Sequence, residues 1–122
     1  MTTQELVKTA VRVMQDKKGS EIKVIDISKI SVIADYFILV SGNSQRQTQA
    51  IADELELQLA KKGAEPRQKE GYRSGTWILL DYQDVVIHIF NSEDRRFYNL
   101  ERIWTDGLSV DPETLEAEKP EE

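Results

Sequence analysis

Gly75-Thr76-Trp77-Ile78-Leu79-Leu80-Asp81-Tyr82-Gln83-Asp84-Val85-Val86-Ile87-His88-Ile89-Phe90 holds two β-rich runs, Thr76 to Asp81 and Asp84 to Phe90, around Tyr82-Gln83. This pattern predicts a hairpin with a two-residue loop, although Tyr-Gln is a poor pair for a turn that wants positive φ. With Asp81 opposite Asp84, Leu79 faces Val86 and Trp77 faces His88. Side chains alternate along a strand. One face then carries Ile78, Leu80, Val85, Ile87 and Ile89, all aliphatic, and is the face for helices to cover. The other carries Trp77, Leu79, Asp81, Asp84, Val86, His88 and Phe90. Like charges directly opposed are unfavourable, and a buried unpaired carboxylate costs several kcal/mol. This second face is therefore expected to be open at least toward the turn. Two readings follow. It is an exposed protein-binding patch with a polar edge, or another helix covers the Trp77 and Phe90 end and leaves only the aspartates wet.

Working outward, Asp35 to Ser41 is a near-continuous apolar run, as expected of a central strand covered on both faces. Ser44 to Lys62 reads as a helix. Ser44 and Gln47 have capping-box spacing, Ile51, Leu55 and Leu59 line one face, and Gly63 suits the residue after the end. Thr2 to Lys18 reads as another helix, with Thr2 and Glu5 as its capping box and Gly19 as its stop. Glu21 to Ile27 reads as a short strand. Glu65 to Glu70 contains Pro66 and can be an edge strand or a loop. Asn91 or Ser92 is expected to cap a last helix with Phe97, Leu100 and Trp104 at helical spacing. The order of elements gives an α/β fold, a mixed β-sheet packed with helices.

The 122 residues suffice for one domain, and no second independent core is expected. There are no cysteines and one histidine, which excludes disulfide scaffolds, thiolate metal sites, cysteine nucleophiles and all-histidine metal sites. No apolar run approaches the roughly 20 residues that span a bilayer. The first residues lack a basic stretch followed by an apolar one, so no signal peptide is read and the expected location is cytoplasmic. Net charge is −6, and residues 106–122 alone hold seven acids against one base. The rest of the chain is neutral. A neutral fold with an acidic end is a poor nucleic-acid binder, which argues against an RNA-binding module and against direct DNA binding. Residues 106–122 read as an acidic, disordered, solubilising tail, with weak attraction to a basic partner as the sharper alternative.

Candidate chemistry is sparse. His88 stands alone, about 13 Å along the strand from Asp84 at ~3.3 Å per residue, so Asp81, Asp84 and His88 make a poor metal triad. Ser41-Gly42-Asn43-Ser44, between a strand and a helix N-terminus, could hold an anion. Nucleotidyltransferases place a Gly-Ser pair at such a spot. They also need two carboxylates alternating on one strand for catalytic magnesium, and Asp81-Tyr82-Gln83-Asp84 has the wrong spacing. Ser44 is read as a helix cap, with no catalytic residue, cofactor or metal expected.

The hairpin stretch, followed by Arg96-Phe97-Tyr98-Asn99-Leu100-Glu101-Arg102-Ile103-Trp104, closely resembles the ribosomal silencing factor family, also called the Iojap family. Asp26, Asp35-Tyr36-Phe37-Ile38 and Ser44-Gln45-Arg46-Gln47 match as well. The resemblance runs up to Trp104. Gln83 departs from it, standing where the family often has glycine. The resemblance implies a nucleotidyltransferase-like fold without the catalytic carboxylates, with residues 1–105 as a ribosome-binding domain. It implies binding to the large ribosomal subunit through its ribosomal protein numbered fourteen, which sterically blocks joining with the small subunit and represses translation when nutrients are short. Competition, not catalysis, is the implied mechanism; a nucleotidyltransferase-like enzyme is the alternative. Trp77, Leu79, Asp81, His88 and Phe90 carry over as partner-binding residues with Tyr98 nearby. Asp84 joins them because the two carboxylates suit Lys or Arg on a basic protein. The chain is expected to be a monomer on the ribosome, with a homodimer left open for the free protein.

Overall fold

The computed structural model describes residues 1–29, 32, 34–92 and 108–110. The elements run α1 (Thr3–Asp16), β1 (Ser20–Asp26), β2 (Tyr36–Gly42), α2 (Gln45–Lys61), β3 (Gln68–Glu70), β4 (Trp77–Asp81), β5 (Val85–Asn91) and β6 (Leu108–Val110). The expected last helix and Tyr98 lie outside the described residues.

Six strands form one sheet in the order β3-β4-β5-β2-β1-β6. β2 and β5 run parallel at its centre, Tyr36 opposite Val85 and Gly42 opposite Asn91. The other pairs are antiparallel. The apolar run of β2 is thus explained: the strand lies inside the sheet and is buried from Phe37 to Gly42. β3, all exposed, is an edge strand, where the charged residues after Pro66 leave it poorly suited to pairing with another chain.

Both described helices pack on the same side of the sheet. Leu6, Val7, Ala10, Val13 and Met14 of α1 join Ile51, Ala52, Leu55 and Leu59 of α2 over Ile78, Leu80, Val85, Ile87 and Ile89. The caps hold these helices at their ends. Thr2 and Glu5 complete a reciprocal capping box, and Ser44 accepts from the Gln47 amide at 3.1 Å. Gln47 does not close a box on Ser44. Its Oε1 accepts from Asn43 N–H at 2.6 Å, and its amide nitrogen donates to the carbonyls of Lys17 and Lys18. One side chain thereby ties the end of α1 to the start of α2. After α2, Gly63 takes φ +89°, and the amides of Gly63 and Ala64 reach Ala60 O and Leu59 O, a Schellman ending.

The end of α1 differs from expectation. Lys18, not Gly19, adopts positive φ. Gly19 is needed for closeness instead: a Cβ there would stand 2.5 Å from Val40 Cγ2.

The proposed start of the acidic tail also needs correction. Residues 108–110 form β6, which pairs with β1 at Val24, Ile25 and Asp26. A strand inside the stretch assigned to the tail means that the sheet continues past residue 105. Pattern reading missed it because three residues in an acidic segment carry no periodicity. Residues 111–122 lie outside the described residues.

Candidate functional site

The hairpin forms, but its register is shifted. Trp77 lies opposite Phe90, Leu79 opposite His88 and Asp81 opposite Val86. The loop still has two residues, Gln83 and Asp84, because Tyr82 continues the strand and its amide donates to Val85 O at 2.8 Å. Burial of the Tyr82 ring in the helix-side core explains the move. Asp81 therefore does not oppose Asp84. A shift of two in the pairing leaves each side chain on its face, so the division into an aliphatic and a mixed face holds.

The mixed face is more covered than its carboxylates suggested. Asp81, Val86, His88 and Phe90 are buried, Trp77 and Leu79 are half-buried, and Asp84 is exposed. Ile25, Ile27, Ala34, Phe37, Leu39, Val86 and Phe90 form a second core on this side, with Trp77 and Leu79 packed at its margin. Phe37 and Leu39 come from β2, which was expected to be covered on both faces. With β2 paired to β5, covering both faces of β2 closes this side near β5.

The aromatic cluster is held by a polar contact. Trp77 Nε1–H donates to His88 Nδ1 at 3.1 Å. An accepting Nδ1 requires the neutral imidazole with its proton on Nε2. Burial also pushes the His88 pKa down to about 4. The ring stacks on Phe90, centroids 6.1 Å apart at 8°, and lies 4.7 Å from Phe37. Trp77 lies 5.3 Å from Phe90. His88 Nε2 is buried and finds no hydrogen-bond partner among the described residues. His88 and Phe90, expected as surface contacts, are the support beneath Trp77.

Asp81 is also committed inward. Its Oδ2 accepts from Arg67 Nη2 at 3.0 Å, and its Oδ1 accepts from the Gln83 amide at 2.7 Å. Arg67 had no signal in the pattern; its role follows only once β3 pairs with β4. Among the described residues no group of three His, Cys, Asp or Glu side chains is placed to hold a metal ion. At the turn before α2, Gly42 O accepts from the Ser92 hydroxyl at 3.0 Å, while Asn43 N–H and Ser44 Oγ are engaged by Gln47. A Cβ on Gly42 would stand 2.9 Å from Thr48 Cγ2. These groups build a helix start.

The chain as a whole is similar to known proteins in sequence and in fold. The sequence profile described as "ribosomal silencing factor during starvation" matches residues 1–122. This chain belongs to the ribosomal silencing factor family. A ribosomal silencing factor of Halalkalibacterium halodurans is 42% identical over 113 residues, 93% of this chain and 97% of that protein. The chloroplastic Iojap protein of Arabidopsis thaliana is 31% identical over 100 residues, 82% of this chain and 42% of that one. A crystal structure of a Chromobacterium violaceum protein superposes with a TM-score of 0.83 at 34% identity, covering 86% of this chain and 88% of the other. Family membership and α/β fold thus agree with the resemblance read from the hairpin.

Proposed function

We propose that this protein silences ribosomes by occupancy: it binds the large ribosomal subunit through the ribosomal protein numbered fourteen and sterically blocks joining with the small subunit. The carrying observation is the half-buried Trp77–Leu79 pair, an apolar step at the open margin of an otherwise buried sheet face. Aromatic residues held rigidly at the edge of a packed cluster are the usual anchors of protein interfaces. Hydrogen bonding to His88 and packing on Phe90 fix the indole before a partner arrives, which limits the ordering lost on binding. Trp77 and Leu79 are the contact residues, with Asp84 exposed at the hairpin tip for a basic side chain. His88 and Phe90 act from below. Tyr98 remains a contact candidate through the family resemblance.

Repression by competition needs no turnover, and the internal commitment of Asp81 to Arg67 and Gln83 supports a non-catalytic reading. The expected site of action is the cytoplasm, with the protein bound as a monomer and free homodimers as an alternative. Sedimentation tests the proposal. The protein should travel with free large subunits and not with assembled ribosomes, and adding it should lower the yield of assembled ribosomes from purified subunits. Magnesium-dependent turnover of a nucleoside triphosphate, abolished by Asp84→Ala, would overturn it.

A further inference from the structure

We infer that the two carboxylates flanking Leu79 divide the work: Asp81 is a positioning residue that holds the hairpin tip, and Glu70 is a second carboxylate, besides Asp84 at the tip, offered to a lysine or arginine of the partner. This inference rests on the binding face proposed above and adds a charge to it.

Asp81 has its side chain only 12% exposed, and both oxygens are engaged. The bond from Gln83 N–H to Asp81 Oδ1 is an Asx turn, in which a side chain holds the backbone two residues on. It acts on a strained residue. Gln83 has φ +79°, a region that disfavours residues with a Cβ. The Asp84 amide donates back to Tyr82 O at 3.0 Å, closing a γ-turn around Gln83. Asp84 O in turn accepts from the amides of Asp35 and Tyr36, so the tip is seated against the start of β2. Arg67 braces the arrangement from β3's side, its Nη2 on Asp81 Oδ2 and its backbone amide on Asp81 O at 2.6 Å. A second cation brought by a partner would find both Asp81 oxygens already accepting.

Glu70 stands otherwise. It lies opposite Leu79 in the β3–β4 register, and cross-strand partners share a face. It is exposed and makes no ion pair among the described residues. Lys69, its neighbour, points the other way and pairs with Glu56 of α2 at 2.6 Å. Glu70 thus sets an unneutralised carboxylate beside the Trp77–Leu79 step, where a basic side chain can reach it as the apolar pair is covered. Charges at the margin of an interface act chiefly through approach and salt dependence.

Four variants of the full chain separate the roles, read by affinity for purified large subunits across a salt series and by exchange of the Gln83 amide hydrogen. Asp81→Asn keeps an acceptor for Gln83 N–H and should retain affinity and salt dependence near those of the parent. Asp81→Ala should weaken binding about tenfold, the size expected when one strained turn is released, and should speed Gln83 exchange. Adding Gln83→Gly, which accepts positive φ without strain, should restore most of the binding lost by Asp81→Ala. Glu70→Gln should weaken binding severalfold at low salt and flatten the salt dependence. The inference is overturned if Asp81→Asn loses affinity with a flattened salt series, or if Glu70→Gln changes neither. If the parent does not bind subunits at all, the proposed function fails. The exchange measurement still judges the positioning role: unchanged Gln83 exchange in Asp81→Ala removes it.

Discussion

The same two strands, β4 and β5, supply both faces of the sheet, yet the faces are built by different rules. On the helix side, Ile78, Leu80, Val85, Ile87 and Ile89 are all fully buried aliphatics under α1 and α2. Shape alone decides whether they fit. On the other side, Trp77, Asp81, His88 and Phe90 bring nitrogen, oxygen and aromatic edges, and buried polar groups need assigned partners. Trp77 meets His88, and Asp81 meets Arg67 and Gln83. Leu79 and part of Trp77 are left over. A face that must satisfy heteroatoms cannot be sealed as uniformly as one of branched aliphatics, and its unsealed margin is where the proposed partner would bind.

Truncation on the helix side should produce the largest effect on stability. Ile87→Ala should destabilise the protein by ~2–5 kcal/mol in urea or thermal unfolding, through lost transfer energy and a residual cavity. Trp77→Ala should do the reverse in kind: it should leave the fold cooperative while weakening binding to large subunits by ~2 kcal/mol or more. If that variant unfolds, the indole belongs to the core and the contrast between the faces is lost.

Acid should sharpen the contrast further. The folded His88 is held neutral, its pKa pushed by burial down to about 4 from the 6.5 of an ordinary imidazole. Unfolding lets it take up a proton between these values, so stability should fall as pH drops from about 6.5 toward 4, on the order of 1–2 kcal/mol by pH 5. His88→Gln should lose that component of the slope, measured as unfolding midpoint against pH. An identical slope in both proteins would mean that the imidazole is not shielded.

At the far edge of the second face the effect should be smallest. β6 pairs with β1, which carries Ile25 of the second core. A chain ending at Val110 should match the full chain in melting temperature. One ending at Gly107 should lose about 1 kcal/mol, the scale of a hydrogen bond or two, and should exchange the amides of Val24 to Asp26 faster.

Much of this is legible in the sequence. Period-four spacing with Ser44 and Gly63 located α2, and strict alternation sorted Trp77 through Phe90 into two faces. Parity protected that sorting from a wrong register, since only an odd slip exchanges faces. What was not legible is what depends on neighbours far along the chain. Nothing local says that Tyr82 is worth burying, that Arg67 returns to Asp81, or that Phe37 lies against His88. In the sequence, the coverage of β2 on both faces and the openness of the hairpin's second face are separate signals. Adjacency of β2 and β5 reconciles them, because the face must be closed beside β2 and can open only toward β4.

The parallel pairing at the centre of the sheet bears on the order of events during synthesis. β2 leaves the ribosome long before β5, yet Tyr36 can pair with Val85 only after the whole of α2 and the β4–β5 hairpin have been made. Contacts between distant segments form late, after the intervening loop has been closed. The hairpin can form from local sequence, but Phe37 reaches His88 only when β5 joins β2. Until that pairing the hairpin lacks the Phe37 packing that backs His88, and the proposed binding face is completed only after β5 has been made.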